Sequence, residues 1–143
     1  MIELQLIIGL SRTINTLNRN TAALCAQHHL TLSQFGVLEA LYHKGDLTIG
    51  QVKELILSTD GTIPVVVKNL EKNGLIARYP HPTDKRCTLL RLLPEGRGII
   101  EELFPKNVAM IQEQMKVWSD EEKELLLHLL KRFGGKDRSE GIR

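Results

Sequence analysis

Cysteine and aromatic residues are scarce in this chain. Only Cys25 and Cys87 occur, far apart and in no CxxC pair, so there is no disulfide framework, and a reducing compartment fits. Aromatics make up 4% of the residues, so the core must be built from Leu, Ile and Val. No apolar run approaches the ~18 residues of a membrane span. The start, MIELQLIIGLSRTINTLNRN, lacks a basic n-region and a small-residue cleavage site, so no signal peptide is read. A soluble, cytoplasmic protein is expected. There is also no Gly-rich phosphate loop, no HExxH, no nucleophile elbow and no obvious loop carboxylate pair, which argues against an enzyme. Internal repeats, low-complexity segments and interdomain linkers are missing as well.

The 143 residues suit one domain of ordinary size, and 42% hydrophobic with 25% charged residues allows a real core. Net charge is only +2, but its distribution is uneven. Between Lys68 and Arg97 the basic residues Lys68, Lys72, Arg78, Lys85, Arg86, Arg91 and Arg97 face only Glu71, Asp84 and Glu95. Between Glu101 and Leu126 acids outnumber lysines. Such asymmetry points to one face meeting a polyanion.

Leu4, Ile7, Leu10, Ile14, Leu17, Thr21 and Leu24 recur at threes and fours, one stripe of a long helix. That stripe suits either an ordinary core helix or packing against another helix or subunit. Leu30 to Ser33 breaks the helix, and Ser33 is the expected N-cap of QFGVLEALYHK, which ends at Gly45. Thr48 and Gln51 have capping-box spacing, predicting a short helix over Ile49 to Ile56. LSTDG reads as a tight turn. Ile63, Val66, Val67 and Leu70 then mark the apolar face of another helix, closed by Gly74. Short helix, turn and longer helix make a helix-turn-helix.

Leu75 to Tyr79 and Cys87 to Leu93 read as strands around the turn PHPTDKR. In the second strand Thr88, Leu90 and Leu92 share one side. A hairpin with a basic tip, directly after a helix-turn-helix, is a wing. Pro94 opens a further helix, which Pro105 must kink or break. Ser119 and Glu122 form a second capping box before DEEKELLLHLLKRF, which Gly134-Gly135 closes. The fold class is thus mainly α: a winged helix-turn-helix with a small antiparallel β-hairpin wing.

The second helix of such a unit fits the DNA major groove, and its N-terminal residues reach base edges. Lys85 and Arg86 sit at the wing tip, and a guanidinium can enter a narrow minor groove. Asp84 cannot favour DNA directly; pairing with a basic side chain and fixing its direction suits it better. A solvated tip with a chance ion pair is the bland alternative.

LTLSQFGVLEAL, the turn and helix from Leu57, LEKNGLIARYPHPTDKR and Leu93-Pro94-Glu95-Gly96 together resemble the MarR family of winged helix-turn-helix regulators. The resemblance spans nearly the whole chain. Its most diagnostic piece is NGLIARYPHPTDKR, which is similar to the family's Gly-Leu-Val-x-Arg followed by Asp-x-Arg. It implies a homodimeric transcriptional regulator that binds operator DNA, a repressor answering to a small organic, often phenolic, effector. It implies one MarR-type domain over 1–143, with the DNA-binding lobe at about 30–95. Dimerisation helices would fill about 1–28 and 96–134, leaving 135–143 as a tail. By position, Thr59, Asp60, Thr62, Pro64, Lys68 and Asn69 take recognition-helix roles, and His81, Thr83, Asp84, Lys85 and Arg86 wing roles.

Two departures matter. Pro64-Val65 stands where many members have Thr-Arg, and Leu93-Pro94 where Leu-Thr is usual. Pro64 implies a helix starting near Asp60 to Thr62, with Thr59, Asp60 or Thr62 as cap. Base discrimination then falls on Thr62, Lys68 and Asn69 rather than Val65. His81 is open between a phosphate contact and a turn residue, while His43 and His128 read as structural or exposed. Cys25, His28 and His29 fall at i, i+3 and i+4 and invite a metal- or redox-sensing alternative, although an inert buried Cys25 is the simpler reading. The remaining alternative is a winged helix used as a protein–protein adaptor. No cofactor is expected.

Overall fold

The computed structural model describes residues 1–56 and 62–133. The predicted tight turn Leu57–Gly61, with Thr59 and Asp60, lies outside the described residues, as do Gly134-Gly135 and the tail. The described elements run α1 (Ile2–Ala26), α2 (Leu32–Lys44), β1 (Leu47–Thr48), α3 (Ile49–Leu55), α4 (Ile63–Lys72), β2 (Ile76–Pro80), β3 (Thr88–Leu92), α5 (Pro94–Gln114), a 3₁₀ turn (Met115–Val117) and α6 (Asp120–Arg132). The chain divides into two compact units, Met1–Val108 and Ala109–Arg143. Among the described residues no helix is long and apolar enough to cross a membrane.

In the first unit, α2, α3 and α4 pack with the sheet and the first turns of α5. Val37, Leu38 and Leu41 of α2, Val52 of α3, and Ile63, Val67 and Leu70 of α4 are buried together with Ile76, Leu90, Ile100 and Leu103. Each such side chain contributes about 1.5–3 kcal/mol through removal from water. The expected hairpin pairs Ile76 with Leu92 and Pro80 with Thr88. Leu90 and Leu92 face the core, as the alternation predicts. A third strand was not foreseen. β1 pairs with β3, Leu47 opposite Leu90, giving the order β1-β3-β2. Two residues are too few for a period-2 signal.

The caps explain the helix boundaries. Thr48 and Gln51 form the expected capping box, as do Ser119 and Glu122. The start of α2 is a correction: the N-cap is Thr31, not Ser33, with Gln34 completing the box. Both α1 and α4 end in a Schellman arrangement. The Leu75 amide donates to the Leu70 carbonyl and Gly74 to Glu71, with Gly74 at φ +74. At the end of α1, Leu30 donates to Cys25 and His29 to Ala26, and His29 takes the left-handed conformation at φ +58. Pro105 does not break α5, which continues to Gln114. Pro105 is exposed, so water can satisfy the carbonyl left without an amide donor.

Only the C-terminal end of α1 joins the core, through Cys25 and the buried Thr21, whose hydroxyl donates to Asn107 Oδ1 at 2.7 Å. Ile2, Leu4, Ile7, Leu10 and Ile14 of the same helix are exposed. In the second unit α6 buries none of its residues, and Leu125, Leu129, Leu130 and Phe133 are exposed.

Candidate nucleic-acid interface

α4 follows α3 through residues 56–62 and shows two faces. Ile63, Val66, Val67 and Leu70 are buried; Val65, Lys68, Asn69 and Lys72 are exposed, at the i, i+3, i+4, i+7 spacing of one stripe. Thr62 is also exposed and takes the N-cap position, with φ −95 and ψ −23 rather than the extended backbone of the caps Thr31, Thr48 and Ser119. Pro64 is exposed in the first turn, where an amide would lack an intrahelical partner. Its missing donor therefore costs the helix nothing. Val65, to which sequence reasoning gave no reading role, is 58% exposed in the middle of this face.

Beyond α4 the wing turns between Pro80 and Thr88. The His81 amide donates to the Cys87 carbonyl at 3.2 Å, and the Cys87 amide to the Asp84 carbonyl at 3.1 Å. Asp84 Oδ1 accepts from the Arg86 amide at 3.0 Å and from Arg86 Nε at 3.2 Å; Oδ2 accepts from Arg86 Nη2 at 3.4 Å. The expected Asp84 pairing is present, and it leaves the Arg86 side chain 90% exposed. Arg86 side-chain and backbone hydrogen bonds, then the Cys87 thiol, hold the Asp84 carboxyl below its ordinary range. Thr83 and Lys85 are exposed on the same turn.

The basic residues divide sharply in use. Arg78 is paired to Glu71 at 3.1 Å. Arg91 is paired to Asp46 at 3.1 Å and lies over the Tyr79 ring at 4.3 Å, while the Tyr79 hydroxyl donates to the same carboxylate. Arg97 lies over Tyr42 at 5.5 Å. Among the described residues, Lys68, Lys72 and Lys85 form no ion pair, and Arg86 is held outward. Sequence reasoning missed the Asp46–Tyr79–Arg91 cluster. Its signal was the hairpin register: Arg91 opposes Ala77, so it is the diagonal neighbour of Tyr79 on one face.

The proposed sensor residues do not assemble. α1 ends at Ala26, so His28 and His29 are not on a helical face with Cys25. No group of three or more His, Cys, Asp or Glu among the described residues could hold a metal ion. Cys25 is fully buried, and burial pushes its thiol up to about 11. At neutral pH roughly one thiol in ten thousand is thiolate, which makes it a poor redox nucleophile. In the wing, the Cys87 thiol is also raised, first by its bond to Asp84. His43 is exposed and edge-on to Tyr42 and Phe104, and His128 is exposed.

A helix-turn-helix with a solvent-facing basic stripe, followed by a hairpin that presents a guanidinium, defines a winged helix-turn-helix DNA-binding protein. The MarR family model matches residues 30–88. The chain is 39% identical over 132 residues to the transcriptional regulator MhqR of Bacillus subtilis, covering 92% of this chain and 91% of that protein. Among solved structures, the S. aureus MepR–DNA complex is similar with a TM-score of 0.75 and 26% identity, covering 85% of this chain and 91% of that one. BpsR of Bordetella bronchiseptica, whose DNA binding is regulated by 6-hydroxynicotinic acid, gives 0.69 and 25%, covering 86% and 96%. The chain belongs to the MarR family, whose members are DNA-binding transcriptional regulators and not enzymes.

Proposed function

We propose that this chain is a sequence-specific repressor that binds its double-stranded operator as a homodimer in the cytoplasm and releases it on binding a small organic, phenolic-type effector. The observation that carries the reading is the division of basic residues. Arg78 and Arg91 are consumed by internal partners, while Lys68, Lys72, Lys85 and Arg86 face solvent along α4 and the wing. α4 enters the major groove, presenting Pro64, Lys68 and Asn69 from its exposed face and Thr62 at its N-cap, with Thr59 and Asp60 preceding it in the sequence as further candidate contacts. The wing residues Thr83, Lys85 and Arg86 meet phosphates and the minor groove, and Asp84 directs Arg86. Residues 30–95 form the DNA-binding lobe in this scheme. The likeness to MepR in complex with DNA supports the docking mode.

Dimerisation rests on the exposed apolar residues of α1 and α6, which a second copy would cover. Two lobes in a dimer then require two half-sites about one helical turn or a multiple of it apart, so the operator should be pseudo-palindromic. The effector reading rests on BpsR. A ligand shifts the DNA-competent population only by its differential affinity for the two states. A small organic effector ranks ahead of a Cys25 thiol switch, and both ahead of a metal.

The test is selection from a random-sequence duplex pool by the purified protein, followed by titration of the selected duplex at several salt concentrations. A pseudo-palindromic consensus and a binding constant whose logarithm falls linearly with log salt are expected. Salt-independent or absent duplex binding would leave the protein–protein adaptor as the better reading.

A further inference from the structure

His81 sits at the base of the wing turn, and its ring nitrogen Nδ1 is crowded with donors. The Asp84 amide reaches it at 3.0 Å, the Thr83 amide at 3.2 Å, and the Thr83 hydroxyl lies 3.3 Å away. An amide N–H can only donate, so Nδ1 must offer its lone pair and the ring proton must reside on Nε2. The contact adds to the two backbone bonds of the turn, His81 to Cys87 and Cys87 to Asp84, by tying the amides of Thr83 and Asp84 to the His81 ring. Those residues have no strand partner: the ladder stops at Pro80 and Thr88. The same Asp84 whose amide is gripped by His81 uses its carboxylate on the Arg86 amide and guanidinium. One continuous chain of hydrogen bonds thus runs from His81 through Asp84 to the exposed Arg86.

We infer that His81 is a positioning residue for DNA binding: as the neutral Nε2–H tautomer it fixes Asp84, and through Asp84 it sets the direction in which Arg86 leaves the wing. The inference rests on the wing reading above, and it replaces the phosphate-contact role considered for His81 from the sequence. It makes a chemical demand. Any side chain that offers an acceptor at the δ1 position will serve, and Asn does so through Oδ1. Gln, whose acceptor lies one bond further out, will not.

Two measurements decide it. The first needs no DNA. In the ¹⁵N-histidine-labelled protein, a two-bond ¹H–¹⁵N correlation spectrum identifies the His81 ring as the signal missing from His81→Asn. A ring fixed with pyridine-type Nδ1 and protonated Nε2 is expected; an Nδ1–H ring, or the averaged pattern of a free imidazole, overturns the inference. The second is a double-mutant cycle on the duplex selected by the wild-type protein. His81→Ala should weaken binding by roughly 3- to 10-fold, a part of the Arg86→Ala loss, and by less than about 2-fold when Arg86 is already Ala. His81→Asn should bind within about 2-fold of wild type, and His81→Gln should resemble His81→Ala. An undiminished His81→Ala loss in the Arg86→Ala background means direct contact and overturns the relay, as does failure of Asn to rescue. Should His81→Ala not fold, the Asn and Gln pair and the tautomer still decide. If wild type binds no duplex, the proposed function fails, while the tautomer spectrum reports on the wing lock by itself.

Discussion

Gly96 and Gly98 lie two residues apart near the start of α5, and alanine at each should move stability in opposite directions. A Cβ on Gly96 would lie 2.3 Å from the Leu75 carbonyl oxygen and 3.0 Å from Leu92 Cδ1. That carbonyl is not free to retreat, because it accepts from the Leu93 amide at 3.0 Å, and Leu75 itself is pinned by the bond closing α4. Relief must come from moving α5 away from the β2 start or from breaking the Leu93 bond. Overpacking of this kind costs roughly 1–3 kcal/mol, and a lost hydrogen bond about 1 more. Alanine's better helix propensity returns about 1 kcal/mol. The net loss for Gly96→Ala is about 1–3 kcal/mol. Gly98 has nothing within 4 Å of its Cβ position, so Gly98→Ala keeps only the propensity gain of about 0.5–1 kcal/mol. For a chain of this size each kcal/mol is worth roughly 3–4 °C in Tm. Paired thermal and urea melts of the two variants should therefore diverge by several degrees. Equal melting points, or a stabilised Gly96→Ala, would show that the Leu75–Gly96 approach is not tight.

Arg86→Ala should weaken binding to the selected duplex by ~1–3 kcal/mol per wing while leaving Tm nearly unchanged, since its exposed pair with Asp84 adds little stability; unchanged affinity in a folded variant would remove the wing as a DNA reader. Lys85→Ala should mainly lower the salt slope by about one, seen in titrations across ionic strength. Substituting Thr62, Lys68 or Asn69 should alter the selected sequence more than Val65→Ala does, and a selection in which only Val65 changes the consensus would reverse that order. His29→Gly should raise stability by about 0.5–1 kcal/mol in urea melts, because His29 holds φ +58 where glycine pays no Cβ penalty. Sedimentation should give a dimer at micromolar concentration, and a stable monomer would leave the exposed residues of α1 and α6 unexplained.

The fold was legible where a local signal and the core agreed. Thr48 with Gln51 and Ser119 with Glu122 set helix starts by side-chain reach to the third amide, a rule that needs no tertiary knowledge. Gly74 closed α4 for an equally local reason. Thr31 with Gln34 carries the same capping-box signal, while Ser33, the expected cap, is a capping residue type without Glu or Gln three residues on. β1 was out of reach because Leu47 becomes a strand residue only once Leu90 is beside it. His29 misled for a related reason. Its spacing from Cys25 implied a shared helical face, but the buried Leu30 at the end of a Schellman turn turns the chain away first.

The site was legible as composition and only partly as geometry. Seven basic residues between Lys68 and Arg97 looked equivalent in the sequence. They are not, because pairing is decided across strands and between helix and sheet. Glu71 reaches Arg78 across the α4–β2 junction, and Asp46, beside β1, reaches Arg91 on β3. What remains is a narrower positive surface than the charge count implies, concentrated on Lys68, Lys72, Lys85 and Arg86. This concentration has a consequence for affinity. Arg78 and Arg91, tied down in the sheet, contribute little to counterion release from DNA, so the salt slope per protomer should track the outward cations of α4 and the wing, Lys68, Lys72, Lys85 and Arg86, and not all seven counted in sequence. Neutralising Arg78 or Arg91 should then disturb the wing's stability before it disturbs the salt dependence of binding.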